Sequence, residues 1–247
     1  MIDEAEVTVD AFLDGRVRLR QPASGYRAGM DAVFLAASLD PDNGLSMAEA
    51  GCGAGAALLC AGARLEGARL TGFEREAHLA AMLEASAVDN GFGDRVCGEV
   101  HDIRERPREL ENVFDQSFSN PPFFDPRAIR APAEGKAGAY LAEAPLKAWV
   151  LFLHHVTRPG GRITLIHRAA ALAELMELLN PRAGEIEVLP IRPAPGLPAK
   201  RVLVRARKGL RRGDVRLHDG LALHETPGGA ATPRATAVLA GEALEWR

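Results

Sequence analysis

The sequence predicts an α/β fold built on a mainly parallel sheet, and three observations carry that prediction. Apolar runs at Leu45–Ala50, Arg69–Glu74 and Arg95–Val100 alternate with helical patterns at Ala56–Leu65 and Ala77–Asn90, the rhythm of strand–helix–strand units. The first of these strands runs into a glycine-rich turn, Glu49-Ala50-Gly51-Cys52-Gly53-Ala54-Gly55. At 247 residues and 47% hydrophobic content, the chain can bury one such core with appendages.

In chain order, Val7–Gln21 alternates apolar and polar residues around Asp14-Gly15, which predicts a β-hairpin. Gly29 and Asp31 then read as the start of a helix with the carboxylate as its cap and Val33, Phe34, Leu35, Ala37 and Leu39 as its buried face. A glycine beside free helix amides would also suit a loop laid against a small ligand. Residues 1–30 are therefore taken as hairpin and lead-in, 31–210 as the main domain, and 211–247 as an extension packed on it.

The glycine turn decides between cofactors. Read as a dinucleotide fingerprint it gives only G-x-G-x-x-A, whereas Glu49, Gly51, Gly53 and Gly55 give E-x-G-x-G-x-G, with Cys52 inside it. That second spacing is the one by which S-adenosylmethionine is held. Glu74, at the end of the second strand, is placed to take ribose hydroxyls, and Asp102, after the third, to accept an adenine amino group.

The most informative stretch is Ser119-Asn120-Pro121-Pro122-Phe123-Phe124, after a strand at Val113–Ser119. Two prolines remove two backbone donors and hold φ near −65°, fixing Asn120 at the strand end. The Asn120 side-chain carbonyl and the Pro121 carbonyl can accept both hydrogens of an NH2 group, the Pro122 nitrogen cannot donate, and Phe123 can stack on a planar ring. Gripping the two hydrogens favours a pyramidal nitrogen with its lone pair aimed at an electrophile, with no strong base required. A simple strand-ending turn with two core phenylalanines is the structural alternative.

Asp125–Gly138 is irregular and reads as a gating loop or connection. A helix at Ala142–Thr157, punctuation at Pro159-Gly160-Gly161, a strand at Arg162–His167, a helix at Ala169–Leu179, and strands at Glu185–Ile191 and Arg201–Ala206 complete the sheet. Between residues 200 and 216 stand eight basic residues, Lys200, Arg201, Arg205, Arg207, Lys208, Arg211, Arg212 and Arg216, against one acid, Asp214. In a chain of net charge −3 this is the local patch that RNA would call for, although a solvated strand edge guarded by cations would look alike. Cys52, Cys60 and Cys97 fit neither a disulfide framework nor a zinc site, and no histidine pair has ligand spacing, so no metal is expected. Reduced thiols, an acidic Met1–Asp10 unlike a signal peptide, and the lack of a membrane-length apolar run point to a soluble cytoplasmic protein.

With these residues laid out, the chain resembles the tRNA(Val) adenine N6-methyltransferase family, whose members modify the adenine beside the anticodon of a valine tRNA. The likeness runs through Gln21-Pro22, Gly25–Val33, the glycine turn, Asn120–Phe124, Pro159–Arg162, Pro198–Val202, Leu223-His224 and Thr232-Pro233. It implies a Rossmann-like, seven-stranded class I methyltransferase sheet with one antiparallel strand plus the N-terminal hairpin. It also implies S-adenosylmethionine at the glycine turn, Glu74 and Asp102, and a base flipped to Asn120 and Phe123. Related branches methylate a guanine amine of ribosomal RNA or, with Tyr at the Phe123 position, a glutamine amide of release factors. Gln116 and Ser119 depart from the aliphatic residues usual in that strand, which predicts looser packing. Methylation of a small molecule and a nucleotide-dependent oxidoreductase stand as alternative functions.

Overall fold

The computed structural model describes residues 7–25, 27–123, 144–210 and 213–246. The expected gating loop, together with Phe124, Arg211 and Arg212, lies outside the described residues.

Strands β1 (Val7–Phe12) and β2 (Val17–Pro22) form the hairpin. The main sheet holds β3 (Ser46–Ala50), β4 (Arg69–Glu74), β5 (Val96–Val100), β6 (Phe114–Ser119), β7 (Thr157–Arg168), β8 (Ala183–Arg192) and β9 (Arg201–Lys208). Their spatial order is β8-β9-β7-β6-β3-β4-β5, and β9 runs antiparallel to both neighbours while the others pair in parallel. This is the expected seven-stranded sheet with one reversed strand. Two short strands, β10 (Arg216–Leu217) and β11 (Leu221–Ala222), extend it by pairing with β8.

Helices cover both faces, as a mainly parallel sheet requires. On one face lie α1 (Met30–Ala37), α2 (Ala56–Arg64) and α3 (Ala77–Asp89), sharing a core with the hairpin residues Val17 and Leu19. On the other lie α4 (Leu146–Val156) and α5 (Leu172–Leu179), packed on Phe73, Phe114 and Val204. The last helix, α6 (Pro233–Leu239), is capped by Thr232, whose hydroxyl accepts from the Ala235 amide.

The hairpin is docked by hydrogen bonds as well as by apolar packing. The Asn90 side chain accepts from the Arg18 amide at 2.9 Å and donates to the Arg18 carbonyl at 2.7 Å, imitating a neighbouring strand. Ser86 accepts from the Arg20 amide. The exposed edge of β2 is therefore closed by α3 rather than left open.

Three features differ from what the sequence predicts. Asp31 does not cap α1: the N-cap is Gly29, without a side-chain bond, and the Asp31 carboxylate instead takes a charge-assisted bond from Arg201 at 2.8 Å. Pro159-Gly160-Gly161 is not a turn before a strand but lies inside β7, where a register shift between Phe114 and Gln116 absorbs the extra residues. Gln116 and Ser119 do not loosen β6. Both are buried and bonded, Gln116 to the Asp40 and Gly44 carbonyls at 2.6 and 2.7 Å, and Ser119 to the Ala50 carbonyl at 2.8 Å.

Candidate active site

The ends of β3 and β6 are neighbours in the sheet, and the chain leaves them toward opposite faces. That is the crevice where open α/β sheets take ligands. The Ser119–Ala50 hydrogen bond ties the two ends together, placing Asn120 beside the glycine turn.

Gly51 and Gly53 adopt left-handed φ of 61° and 56°. A Cβ on Gly51 would lie 2.2 Å from Trp149 Cη2, whereas one on Gly53 would meet nothing within 4 Å. Gly51 is thus required by the indole packed on it. Gly53 opens onto a cavity. Gly55 forms the N-cap of α2.

That cavity, about 580 Å³, is lined by Glu49, Gly51, Cys52 and Gly53 on one side and by Asn120, Pro121, Pro122 and Phe123 on another. Gln21 and Ala28 of the lead-in and His78, Leu79 and Met82 of α3 close it. A smaller pocket of about 170 Å³, bounded by Glu74, Asp102, Arg104 and Trp149, adjoins it, and both share Gly51, Glu74, Pro122 and Trp149. Gly29 and Asp31 line neither space.

The acids differ in their surroundings. Glu49 is 4% exposed, and burial pushes its carboxyl well above the usual carboxylate range, partly offset by a bond from the Leu58 amide. Its Oε2 has no hydrogen-bond partner among the described residues, and the side chain lies in the cavity wall. Glu74 accepts from the Gly53 amide at 2.9 Å and the Glu76 amide at 3.0 Å, so it braces the glycine turn. Asp102 is gripped by Arg104, whose Nε lies 2.9 and 3.0 Å from its two oxygens, and this bond holds its carboxyl below the usual range. The Cys52 thiol is pushed up by burial and by the neighbouring acids.

Around Phe123 stand residues that nothing in the sequence associates with it. The Arg201 guanidinium lies 4.5 Å from the ring centroid, and His167 meets the ring edge-on at 5.0 Å. Burial and the nearby Arg168 and Arg201 push the His167 imidazole down to about 4, so it is neutral at physiological pH. Trp149 and Gln21 likewise carry no site signal in the sequence. Gln21, buried, accepts from the Ala28 amide at 3.0 Å and donates to Asp10, which fixes the lead-in over the cavity.

Within β9 the basic run is neither an exposed patch nor a solvated edge, whereas Arg216 is exposed and Arg211 and Arg212 lie outside the described residues. β9 lies between β7 and β8, so its cations must be paired inside. Arg205 bonds Glu187 twice at 3.0 Å and stacks on Trp246; Lys208 donates to Asn112 at 2.7 Å; Arg207 lies 3.6 Å from Glu185. Among the basic residues from 200 to 208, Lys200 alone is exposed. Among the described residues no group of three His, Cys, Asp or Glu side chains could hold a metal, and no helix is long and apolar enough to cross a membrane.

No known family profile and no curated protein matches the chain. Solved structures do. A protein from Agrobacterium tumefaciens, described as a predicted O-methyltransferase, is 30% identical over 88% of this chain and 99% of its own, with a TM-score of 0.71. An S-adenosylmethionine-dependent O-methyltransferase from Thermotoga maritima is 21% identical, covering 77% of this chain and 69% of its own, with a TM-score of 0.53. A geranyl diphosphate methyltransferase solved with S-adenosylmethionine is 17% identical, covering 72% and 84%, with a TM-score of 0.51. The last two likenesses are of fold alone.

Proposed function

The chain belongs to the class I S-adenosylmethionine-dependent methyltransferases, and we propose that within them it methylates a planar exocyclic amine, the N6 of adenine in tRNA. The observation that carries this reading is Asn120-Pro121-Pro122-Phe123 lining one cavity with the glycine turn. S-adenosylmethionine supplies an electrophilic methyl group when bound. Gly53, whose α-carbon opens onto free space, and Glu49, with its buried Oε2 at the cavity wall, fit such a group. Glu74 and Asp102 bound the adjoining pocket of about 170 Å³.

The residues then act by positioning. The Asn120 and Pro121 carbonyls accept the two N–H bonds of the amine and direct its lone pair into the cavity, and Phe123 supports the base. As the nitrogen bonds to carbon, these carbonyls stabilise the growing positive charge and share the proton that leaves to solvent. An amine is favoured over a hydroxyl because a hydroxyl needs a base to remove its proton. Among the titratable residues of the cavity, burial pushes the Glu49 carboxyl well above its usual range, Glu74 is committed to two amides, and His78 lines it from α3. The Gly25–Val33 and Asn120–Phe124 blocks support tRNA as the carrier of the amine.

The test is transfer of labelled methyl to tRNA, ribosomal RNA and protein from cells lacking the enzyme, with the digested products identified. N6-methyladenosine from tRNA is the expected product. Label in a guanine, a glutamine amide or a small molecule would retain the amine pocket and replace the substrate.

A further inference from the structure

Phe123 lines the cavity, but two side chains that meet its ring do not. Arg201 lies over one face, 4.5 Å from the centroid, and His167 meets the edge at 5.0 Å, yet neither lines the cavity or the adjoining pocket. We propose that Arg201, oriented by Asp31, is a positioning residue that fixes the plane of the Phe123 ring and so presents its other face to the base. This rests on the reading of Phe123 as the support of an RNA base given above.

Arg201 is the first residue of β9, and its backbone is paired on both sides, with Arg168 of β7 and Ile191 of β8. Its head is tied in its own plane. Nε donates to the Asp31 carboxylate at 2.8 Å, and Nη1 donates to the Lys200 carbonyl at 3.3 Å. A planar guanidinium held through its edge keeps its face for stacking on an aromatic ring. Asp31 sits in the first turn of α1, where the next six residues, Ala32–Ala37, are all buried, so the carboxylate rides on a fixed element. The Arg201 and Asp31 side chains are 31% and 23% exposed, and an ion pair that water reaches to this extent contributes little to stability. What the pair supplies is direction.

The ring needs such support. Pro121 and Pro122 fix the backbone that leads to Phe123, but a half-buried phenylalanine at a cavity wall can still change rotamer. A cation on one face and an aromatic edge contact oppose that change. His167 stands on β7 opposite Val202, and its imidazole, pushed down to about 4, brings no second charge to the ring. With one face taken, the opposite face is left for a stacked base. The position of Arg201 therefore sets the plane in which the base meets the Asn120 and Pro121 carbonyls. A base tilted from that plane keeps its contacts elsewhere along the RNA but loses the aim of its lone pair, so Arg201 acts on turnover rather than on affinity.

The experiment compares methyl transfer to tRNA by the full chain with that by Arg201→Ala, Asp31→Asn, Phe123→Ala and the double variant Phe123→Ala with Arg201→Ala. Each is assayed at several salt concentrations, alongside calorimetric affinity for S-adenosylmethionine. The expected result is a kcat lowered roughly 10–100-fold in Arg201→Ala, and by a smaller factor in Asp31→Asn. The KM for tRNA, its salt slope and the cofactor affinity should stay unchanged. In the Phe123→Ala background, Arg201→Ala should lower kcat no further, because the ring through which it acts is gone. A full further loss in that background would overturn the positioning role. So would a raised KM with a shallower salt slope, which would mark a direct contact with phosphate. Should Arg201→Ala fail to fold, the same cycle with Asp31→Asn decides. Failure of the unaltered chain to label any RNA would overturn the RNA reading and this role together, whereas additive losses in an active enzyme would overturn this role alone.

Discussion

The indole of Trp149 occupies the space that a side chain at position 51 would need, with Cη2 only 2.2 Å from where a Gly51 Cβ would stand. Gly53, two residues on, has the same left-handed backbone but open space before it. The two glycines therefore separate packing from binding. Gly51→Ala should destabilise the protein by at least about 2 kcal/mol, through overpacking and left-handed strain. Gly53→Ala should cost about 1–2 kcal/mol from the backbone alone while weakening S-adenosylmethionine far more than Gly51→Ala does per unit of stability lost. Thermal melts paired with calorimetry check this, and equal losses of affinity and stability in both would refute it.

Asn120→Ala should lower turnover by roughly 10²–10³-fold, the scale of removing one preorganised polar partner from a reacting group. Cofactor affinity should hardly change. Single-turnover transfer at saturating cofactor separates the two, and loss of cofactor binding instead would make Asn120 part of the cofactor site.

Buried Glu49 sets a pH dependence whose sign is opposite to that of an ion-paired acid. Its folded-state carboxyl titrates above the unfolded value, so the folded protein holds more protons and stability falls as pH rises from about 4.5 toward the raised value. Glu49→Gln should remove that slope and raise the melting temperature at neutral pH in the absence of cofactor. A melting curve against pH that is the same in both proteins would contradict the assignment.

Glu187 is surrounded by Arg205, Arg162 and His218, at 3.0, 3.7 and 2.8 Å, so deleting it strands buried cations. Glu187→Ala should destabilise by about 3–5 kcal/mol. Burial alone would raise the Glu187 carboxyl, but the bonds and charge of Arg205, with help from His218 and Arg162, outweigh it and hold the carboxyl below its ordinary value. Its contribution is therefore present above the ordinary carboxylate range and lost as pH falls through the lowered value. Denaturant titration at neutral and acidic pH measures both effects.

Two imidazoles, His167 buried and His154 half-buried, act in the other direction from Glu49. His154 and His167 are both pushed down to about 4, chiefly by burial. The folded protein therefore holds fewer protons than the unfolded chain, and their contribution is full above about 6.5 and lost as pH falls toward about 4. His154→Phe and His167→Phe should each flatten the acid limb of a plot of melting temperature against pH.

Local chemistry was legible in the sequence, and pairing across the sheet was not. Asn120, Pro121, Pro122 and Phe123 are contiguous, so the prolines' geometry and the acceptors could be read without knowing the fold. The strand rhythm and the glycine turn revealed the sheet for the same reason. β9 misled because its arginines alternate with Val202, Val204 and Ala206, as at a solvent edge, while their partners Glu187 and Glu185 lie on another strand. Asp31 sits where a capping acid belongs, and only the register of β9 reveals Arg201 as its partner. Trp149 could have drawn attention as one of two tryptophans, but its packing on Gly51 depends on how α4 crosses the sheet.

The end of α1 is closed from far along the chain. The Trp246 indole donates to the Ser38 carbonyl across 208 residues of sequence, and the Leu244 amide donates to the Ala37 carbonyl. Helix-end carbonyls that would otherwise be left to water are thus satisfied by a distant segment. The helix that carries Asp31, and through it steadies Arg201 over Phe123, is in this way tied to residues that never touch the cavity.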